Sequence, residues 1–152
     1  MITEKKVIFK ASLEDIWQEI MDMESTIYCM PGVKSVKVDD ANCYQITLEQ
    51  KVSFIPIKLD MKLKITNYQP PRRLETSADA TAAMGMGKAF QKQSLDLVAI
   101  SKNKTELVYR GDMVLSGRMG TFGQRALASK TDSVAKEFLL NFIKKTGFEI
   151  LP

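Results

Sequence analysis

The sequence predicts an α+β fold in which a curved antiparallel sheet of six to seven strands wraps around one long C-terminal helix. Three observations predict it. Apolar and polar side chains alternate through most of residues 33–115, which is the period of strands that bury one face. From Met119 to about Lys145 the apolar spacing is three and four residues, as in an amphipathic helix. No other predicted element is long enough to cover the sheet.

The N-terminal segment predicts one strand followed by two helices. Residues 7–11 alternate as in a strand, and Ser12 is placed to cap a helix whose first turn is acidic. Apolar residues then recur at helical spacing from Leu13 to Met21. A short second helix is expected from Met23 to Tyr28, because Pro31-Gly32 follows it.

The middle of the chain predicts a meander of strands separated by turns. The predicted strands, in order, are a hairpin over residues 33–48, then Ile57–Ile65, Leu74–Ala80, Gln91–Ala99 and Thr105–Leu115. Pro70-Pro71, Met84–Gly87 and Asn103 supply the breaks between the later strands. Gly147 is expected to end the C-terminal helix.

One sheet wrapped around one helix leaves space between them, and the inward residues predict that this space is not fully closed. Inward positions of the middle strands carry small residues, namely Thr76, Ala78, Ala80, Ala99 and Gly111. Methionine, which adapts to a variable guest, occurs nine times in the chain. Apolar alternation of this kind is usual in a solid core, so the pattern alone leaves a solid core and a cavity for an apolar molecule both open.

Gln91, Gln93 and Tyr109 are predicted to point inward, where a polar group needs a hydrogen-bond partner. A strand-end position or a shift of parity at a bulge is the alternative for these three. The residues predicted to line the cavity are Leu59, Met61, Leu63, Met86, Gln91, Gln93, Leu95, Leu97, Tyr109, Met113, Met119, Phe122, Ala126 and Phe138.

Composition excludes several classes of site. The chain has no histidine, which removes Ser-His-Asp triads and histidine metal sites. Cys29 and Cys43 have neither zinc-site spacing nor disulfide density, so we interpret them as buried thiols. No cluster of ligands predicts a metal, and no cofactor is expected.

Length, composition and charge predict the number of domains and the location of the protein in the cell. A chain of 152 residues fits one domain, residues 1–152, and 45% hydrophobic residues are typical of a globular protein. Without an apolar run of membrane-spanning length or a signal-peptide pattern, a cytoplasmic protein is expected. The net charge of +4 weakly favours contact with an anionic membrane surface.

The glycine-rich stretch SGRMGTFG, residues 116–123, precedes the long helix. A phosphate loop would need a following Gly-Lys-Ser/Thr, which is missing, and the spacing is not the dinucleotide pattern. We interpret Gly117, Gly120 and Gly123 as positions where the chain passes close to the sheet. Met119 and Phe122 are then expected to turn inward.

Several short motifs in a fixed order carry a family resemblance along nearly the whole chain. They are Ile16-Trp17, Cys29-Met30-Pro31-Gly32, Pro56-Ile57-Lys58, Pro70-Pro71-Arg72-Arg73-Leu74, Gly85-Met86-Gly87, Thr105-Glu106-Leu107-Val108-Tyr109 and Gly117-Arg118-Met119-Gly120-Thr121-Phe122-Gly123. The chain resembles the helix-grip fold of the START and polyketide-cyclase superfamily. Within it, the chain is similar to the CoxG family of carbon monoxide dehydrogenase subunits.

This resemblance implies a small non-catalytic partner of molybdenum hydroxylase subunits that holds a quinone- or lipid-like molecule. It also implies recruitment to the inner face of a membrane. Since some members of the superfamily are cyclases or hydrolases, an enzyme acting on an apolar substrate in the same cavity is the alternative.

Carboxylates would have to supply the chemistry of an enzyme. The candidates are Asp22, Glu24, Glu75, Asp79, Asp96 and Asp112. All but Asp22 and Glu24 fall on the outward parity of their strands, where they cannot reach a substrate in the cavity. Nucleic-acid binding is not expected, because Phe54 and Tyr109 fall on inward parities rather than on an exposed stacking platform.

Overall fold

A computed structural model of the protein describes residues 1–152, and it contains seven strands and three α-helices. Their bounds are β1 (Ile2–Phe9), α1 (Leu13–Met21), α2 (Met23–Tyr28), β2 (Val33–Asp40), β3 (Cys43–Val52), β4 (Ile55–Gln69), β5 (Arg73–Ala82), β6 (Gly87–Ser101), β7 (Lys104–Ser116) and α3 (Gln124–Thr146). Short 3-10 turns cover Ala83–Gly85 and Gly117–Thr121. The predicted order of elements is confirmed.

All seven strands form one antiparallel sheet in the order β1-β7-β6-β5-β4-β3-β2. Strands β2 to β7 follow one another as a meander, because each connection is a short turn, and β1 pairs with the free edge of β7. The register places Gln93 of β6 opposite Thr76 on one side and Gly111 on the other. Inward residues of neighbouring strands therefore lie side by side, as the alternation predicts.

The ends of the helices follow the predicted capping signals. The Ser12 hydroxyl accepts a hydrogen bond from the backbone N–H of Asp15 at 3.2 Å, which caps α1. Gly147 adopts a left-handed φ of 76° and donates its N–H to the carbonyl of Ile143, which ends α3. No helix is both long and apolar enough to cross a bilayer.

The start of the C-terminal helix differs from the sequence prediction. The helical spacing predicts a helix from Met119, whereas Phe122 and Gly123 are extended and α3 begins at Gln124. The physical reason lies in the glycines of this stretch, because glycine disfavours the helical conformation. A Cβ at Gly117 would lie 2.8 Å from the Cα of Gly87, which confirms a close approach there.

Two other glycines in this stretch do not serve close packing. A Cβ at Gly120 would make ordinary contact at 3.5 Å, and one at Gly123 would meet no atom within 4 Å.

Ala99, predicted to face inward on the middle strands, is exposed near the end of β6. Ala99 keeps the inward parity, since it pairs with the buried Thr105, but no element covers it at this end of β6.

The hydrophobic core consists of two clusters at opposite ends of the sheet. The main cluster has 17 buried residues, and it joins α1, α2 and the C-terminal part of α3 to the sheet. Phe9 and Phe142 meet at its centre in an edge-to-face contact, with ring centroids 5.9 Å apart. The small cluster consists of Val52, Ile57, Ala82 and Met119. The middle of the inner face lies between the two.

Candidate ligand-binding site

A band of half-buried residues crosses the inner face between the main and the small cluster. Its members, which we call the inner band, are Met61, Gln91, Gln93, Leu95, Tyr109 and Met113. They keep partial solvent access although the alanines beside them, Ala78 and Ala80, are buried. These side chains face the same side of the sheet as the buried core, and their partial solvent access shows that the helices do not cover them completely.

The N-terminal half of α3 is less buried than its C-terminal part. Phe142 is the one buried residue of the 23-residue helix, and it lies in the C-terminal part. There α3 is fixed by the Asn141 side-chain amide, which donates to the carbonyl of Cys29 at 2.8 Å. The first half of α3 presents only half-buried and exposed side chains. The C-terminal part of the helix therefore covers the main cluster, whereas its first half contributes no buried side chain.

A directional chain of hydrogen bonds runs across three strands of the inner band. The Thr76 hydroxyl donates to Gln93 at 3.4 Å, and the Gln93 amide donates to Gln91 at 2.8 Å. The Gln91 amide then donates to the Tyr109 hydroxyl oxygen at 3.1 Å. With the amides in this orientation, the chain ends at a phenol that accepts one bond and keeps its own proton to donate. The inward parity predicted for both glutamines and Tyr109 is confirmed. The inward parity predicted for Phe54 is wrong, because Phe54 lies in the turn between β3 and β4 and is 96% exposed.

Tyr109 is held as a neutral donor. Burial raises its pKa, while the hydrogen bond from Gln91 lowers it by a smaller amount. The phenol therefore keeps its proton near neutral pH. Gly111 makes room for it, because a Cβ there would lie 2.6 Å from the Tyr109 hydroxyl and 2.9 Å from the Gln91 amide nitrogen.

The other predicted lining residues fall into three groups. Met86, Met119 and Phe122 belong to the small cluster or pack against it, and Leu59 packs against both clusters. Leu63 and Leu97 lie within the main cluster, at 8% and 2% exposure, and offer little surface to a ligand. Phe138 stacks on Phe142 with ring centroids 6.3 Å apart, and it packs against the main cluster. Ala126 lies half-buried on the first half of α3.

An ion pair that the sequence pattern does not predict lies beside the inner band. Lys5 of the edge strand β1 pairs with Asp132 of α3, and Lys136 lies 3.2 Å from the same carboxylate. The two lysines, Lys5 first, lower the pKa of Asp132. Lys5 shares the inward parity of Val7 and Phe9, which is the one signal in the sequence that could have placed it on this side.

The strand carboxylates lie outside, as predicted. On the outer face Arg73 bridges Glu75 at 2.7 Å and Asp96 at 2.5 Å. The hydrogen bonds that Glu75 accepts, from Arg73 above all, lower its pKa. No group of three or more histidine, cysteine or acidic side chains is placed to hold a metal ion.

Two surface clefts lie away from the inner band. One, of about 340 Å³, is lined by Ser25, Tyr28, Cys29, Asn141 and Lys145 between α2 and α3. The other, of about 290 Å³, involves Asp79, Lys88, Phe90 and Val114 on the outer face. Neither contains a member of the hydrogen-bond chain.

Comparison with known proteins connects this architecture to one family. A sequence model that describes CoxG, a carbon monoxide dehydrogenase subunit, matches residues 6–147. Among curated proteins, no match is found.

Solved structures share the architecture at low identity. A conserved protein from Geobacillus kaustophilus has a TM-score of 0.88 at 20% identity, with 100% of both chains covered. The Zhui aromatase/cyclase from Streptomyces sp. R1128 has a TM-score of 0.70 at 12% identity, covering 97% of this chain and 93% of that one. A START superfamily protein from Mycobacterium smegmatis has a TM-score of 0.69 at 11% identity, covering 96% and 97%. The predicted helix-grip fold is confirmed.

Proposed function

We propose that this chain, which belongs to the CoxG family of carbon monoxide dehydrogenase subunits, binds and carries a lipophilic small molecule between its sheet and α3. The ligand is quinone- or lipid-like: an apolar body with at least one acceptor oxygen. The observation that carries the proposal is the hydrogen-bond chain that ends at the Tyr109 hydroxyl within the half-buried inner band.

The two parts of the site have different roles in binding. Met61, Leu95 and Met113 supply apolar surface, and methionine side chains adjust to the shape of a guest. Each ligand methylene removed from water contributes about 0.8 kcal/mol. The Tyr109 hydroxyl donates to a carbonyl or hydroxyl oxygen of the ligand and fixes its orientation. Burial of a long apolar tail of the ligand thus supplies most of the affinity, while the hydrogen bond from Tyr109 sets the orientation of the ligand.

The protein serves as an accessory component rather than as a catalyst. Its family is described as a subunit of carbon monoxide dehydrogenase, which supports a molybdenum hydroxylase of that type as the protein partner. Tyr109 keeps its proton because burial raises its pKa, so it acts as a donor and not as a base. We place the protein in the cytoplasm, where such a partner would receive the carried molecule.

Ligand extraction tests the proposal. Protein purified from its native host is extracted with organic solvent and analysed by mass spectrometry, and a stoichiometric apolar molecule is expected. Tyr109→Phe is expected to bind an added quinone about tenfold more weakly, the size of one lost hydrogen bond. Tyr28→Phe, at a half-exposed tyrosine of α2, is the matched control. Protein that is empty after purification and ignores both quinones and fatty acids in titration contradicts the proposal.

A further inference from the structure

The hydrogen-bond chain of the inner band has its direction set at the buried end. Thr76 is 7% exposed, and the hydrogen bond that its hydroxyl makes is the donation to Gln93. A buried hydroxyl proton needs an acceptor, because leaving it unpaired costs free energy. Reversing the chain would turn the Gln93 amide nitrogen towards Thr76 and would leave the Thr76 proton without this partner. The buried end therefore favours one direction for all three bonds.

This direction leaves unused protons on the chain, whereas its oxygens are engaged. The side-chain oxygens of Gln93, Gln91 and Tyr109 each accept one bond, from Thr76, Gln93 and Gln91 in turn. A side-chain amide carries two N–H donors, and a phenol carries one O–H donor. Each glutamine therefore keeps one amide proton, and Tyr109 keeps its phenol proton. The chain offers donors to a ligand, and each oxygen beyond Thr76 already accepts a bond.

The other side chains at the inner band do not supply a strong free acceptor. Its remaining members are apolar, and the thioether sulfur of methionine is only a weak acceptor; they are Met61, Leu95 and Met113. The carboxylate of Asp132, which lies beside the band, is paired with Lys5 and Lys136. A ligand hydroxyl that enters the band therefore meets donors and engaged oxygens, and its own proton is left unpaired.

We propose that the inner band selects a molecule with a carbonyl group over the same molecule with a hydroxyl group, and so holds a quinone more tightly than its hydroquinone. A carbonyl oxygen accepts the bond from Tyr109 and brings no donor of its own. A hydroxyl oxygen can accept the same bond, but it also brings a proton for which the band has no free acceptor. Such a preference suits a carrier that releases its cargo once the cargo has been reduced. The inference rests on the proposed function and adds to it the oxidation state of the bound molecule.

Paired ligands measure this preference. Decylubiquinone and its hydroquinone are titrated into the full chain in the absence of oxygen, and both affinities are measured by isothermal titration calorimetry. We expect the quinone to bind about tenfold more tightly, which is the effect of one unpaired donor in the hydroxyl form. The pair 2-undecanone and 2-undecanol differs in the same functional group and does not interconvert in air, so it should show a preference in the same direction.

Gln91→Glu changes the polarity at the ligand end of the chain. A carboxylate has the shape of the amide, but it only accepts hydrogen bonds. It keeps the bond from Gln93 and takes the proton of Tyr109, whose oxygen is then left to accept from the ligand. At about pH 8, well above the usual pKa of a glutamate, we expect this variant to bind the hydroquinone more tightly than the quinone. Gln18→Glu makes the same chemical change at an exposed position of α1 and should keep the wild-type preference.

The wild-type preference decides the inference without any variant. Equal affinities for the two forms, or tighter binding of the hydroxyl form, overturn it. A folded Gln91→Glu protein that keeps the wild-type preference, or a Gln18→Glu protein that loses it, also overturns it. Binding of neither form contradicts the proposed function, and the inference falls with it. Binding of both forms without a preference contradicts the inference alone and leaves the proposed function standing.

Discussion

Gly111→Ala perturbs the candidate site at one point. Gly111 lies inward on β7 opposite Gln93, and its φ is not in the left-handed region, so alanine can adopt the backbone. The new Cβ would lie 2.6 Å from the Tyr109 hydroxyl and 2.9 Å from the Gln91 amide nitrogen. Both distances are below van der Waals contact, and both atoms belong to the same hydrogen bond. The substitution therefore displaces this bond while leaving the sheet in place.

Two opposing terms set the effect of Gly111→Ala on stability. Alanine reduces the freedom of the unfolded chain, which stabilises by about 0.4–1 kcal/mol. Separating the Gln91 amide from Tyr109 removes a hydrogen bond worth about 1 kcal/mol, or leaves a half-buried donor unsatisfied at a cost of about 1–3 kcal/mol. We expect a net loss of about 1 kcal/mol in the free energy of unfolding. Affinity for a quinone should fall about tenfold, because the orienting donor moves.

A double-mutant cycle measures whether the hydroxyl is what alanine displaces. The free energy of unfolding from urea titrations and the quinone affinity are measured for Gly111→Ala, Tyr109→Phe and the double variant. The two changes should be strongly non-additive, since Phe removes the atom that Cβ would meet first. Gly120→Ala, whose Cβ meets its nearest atom at 3.5 Å, is the control. Additive effects, or wild-type affinity in Gly111→Ala, refute the reasoning.

Three further predictions test other parts of the account. Burial raises the pKa of Tyr109 above 10.0, so the folded state holds the phenol proton more tightly than the unfolded state does. The stability that comes from this tighter binding is lost as the pH rises through the pKa of the folded state. Tyr109→Phe should therefore reduce the fall in unfolding free energy above about pH 10, followed by circular dichroism; an unchanged fall contradicts the assignment. Phe54→Asn should stabilise by about 0.5–1 kcal/mol in urea titrations, since Phe54 has a left-handed φ of 68° that asparagine tolerates better; destabilisation argues against strain there. Leu97→Ala should cost about 2–5 kcal/mol, and Met113→Ala clearly less, because Leu97 is buried in the main cluster whereas Met113 is half-buried; equal costs would mean that the inner band is solid core.

Strand periodicity is a local signal, and it predicted most of the fold. Residues 57–65 alternate without interruption, so the inner face of β4 followed directly from the sequence. The start of α3 did not, because Met119 and Phe122 keep helical spacing across a 3-10 turn and an extended residue. The spacing of apolar residues cannot distinguish a continuous α-helix from a 3-10 turn followed by an extended residue when glycines lie between them.

Parity predicted which side chains face inward but not which of them are covered. Gln91, Gln93 and Tyr109 face inward because the period of a strand is two residues. Leu97 faces the same way, yet it lies at the end of the sheet that α1 and α3 cover. The Lys5–Asp132 pair also joins positions 127 residues apart. The burial of an inward side chain and an ion pair between distant residues both depend on how the helices pack on the sheet. The periodicity of a single sequence does not show that packing.

Side-chain amide resonances of Gln91 and Gln93 provide the most direct measurement of the central claim, that an apolar ligand occupies the inner band. Both amides belong to the hydrogen-bond chain that ends at Tyr109. In a titration of isotope-labelled protein with a quinone, we predict that these resonances shift in a saturable way and that Tyr109→Phe reduces the shifts and the affinity. Amides that stay unshifted while the quinone binds elsewhere, or does not bind at all, would contradict the account.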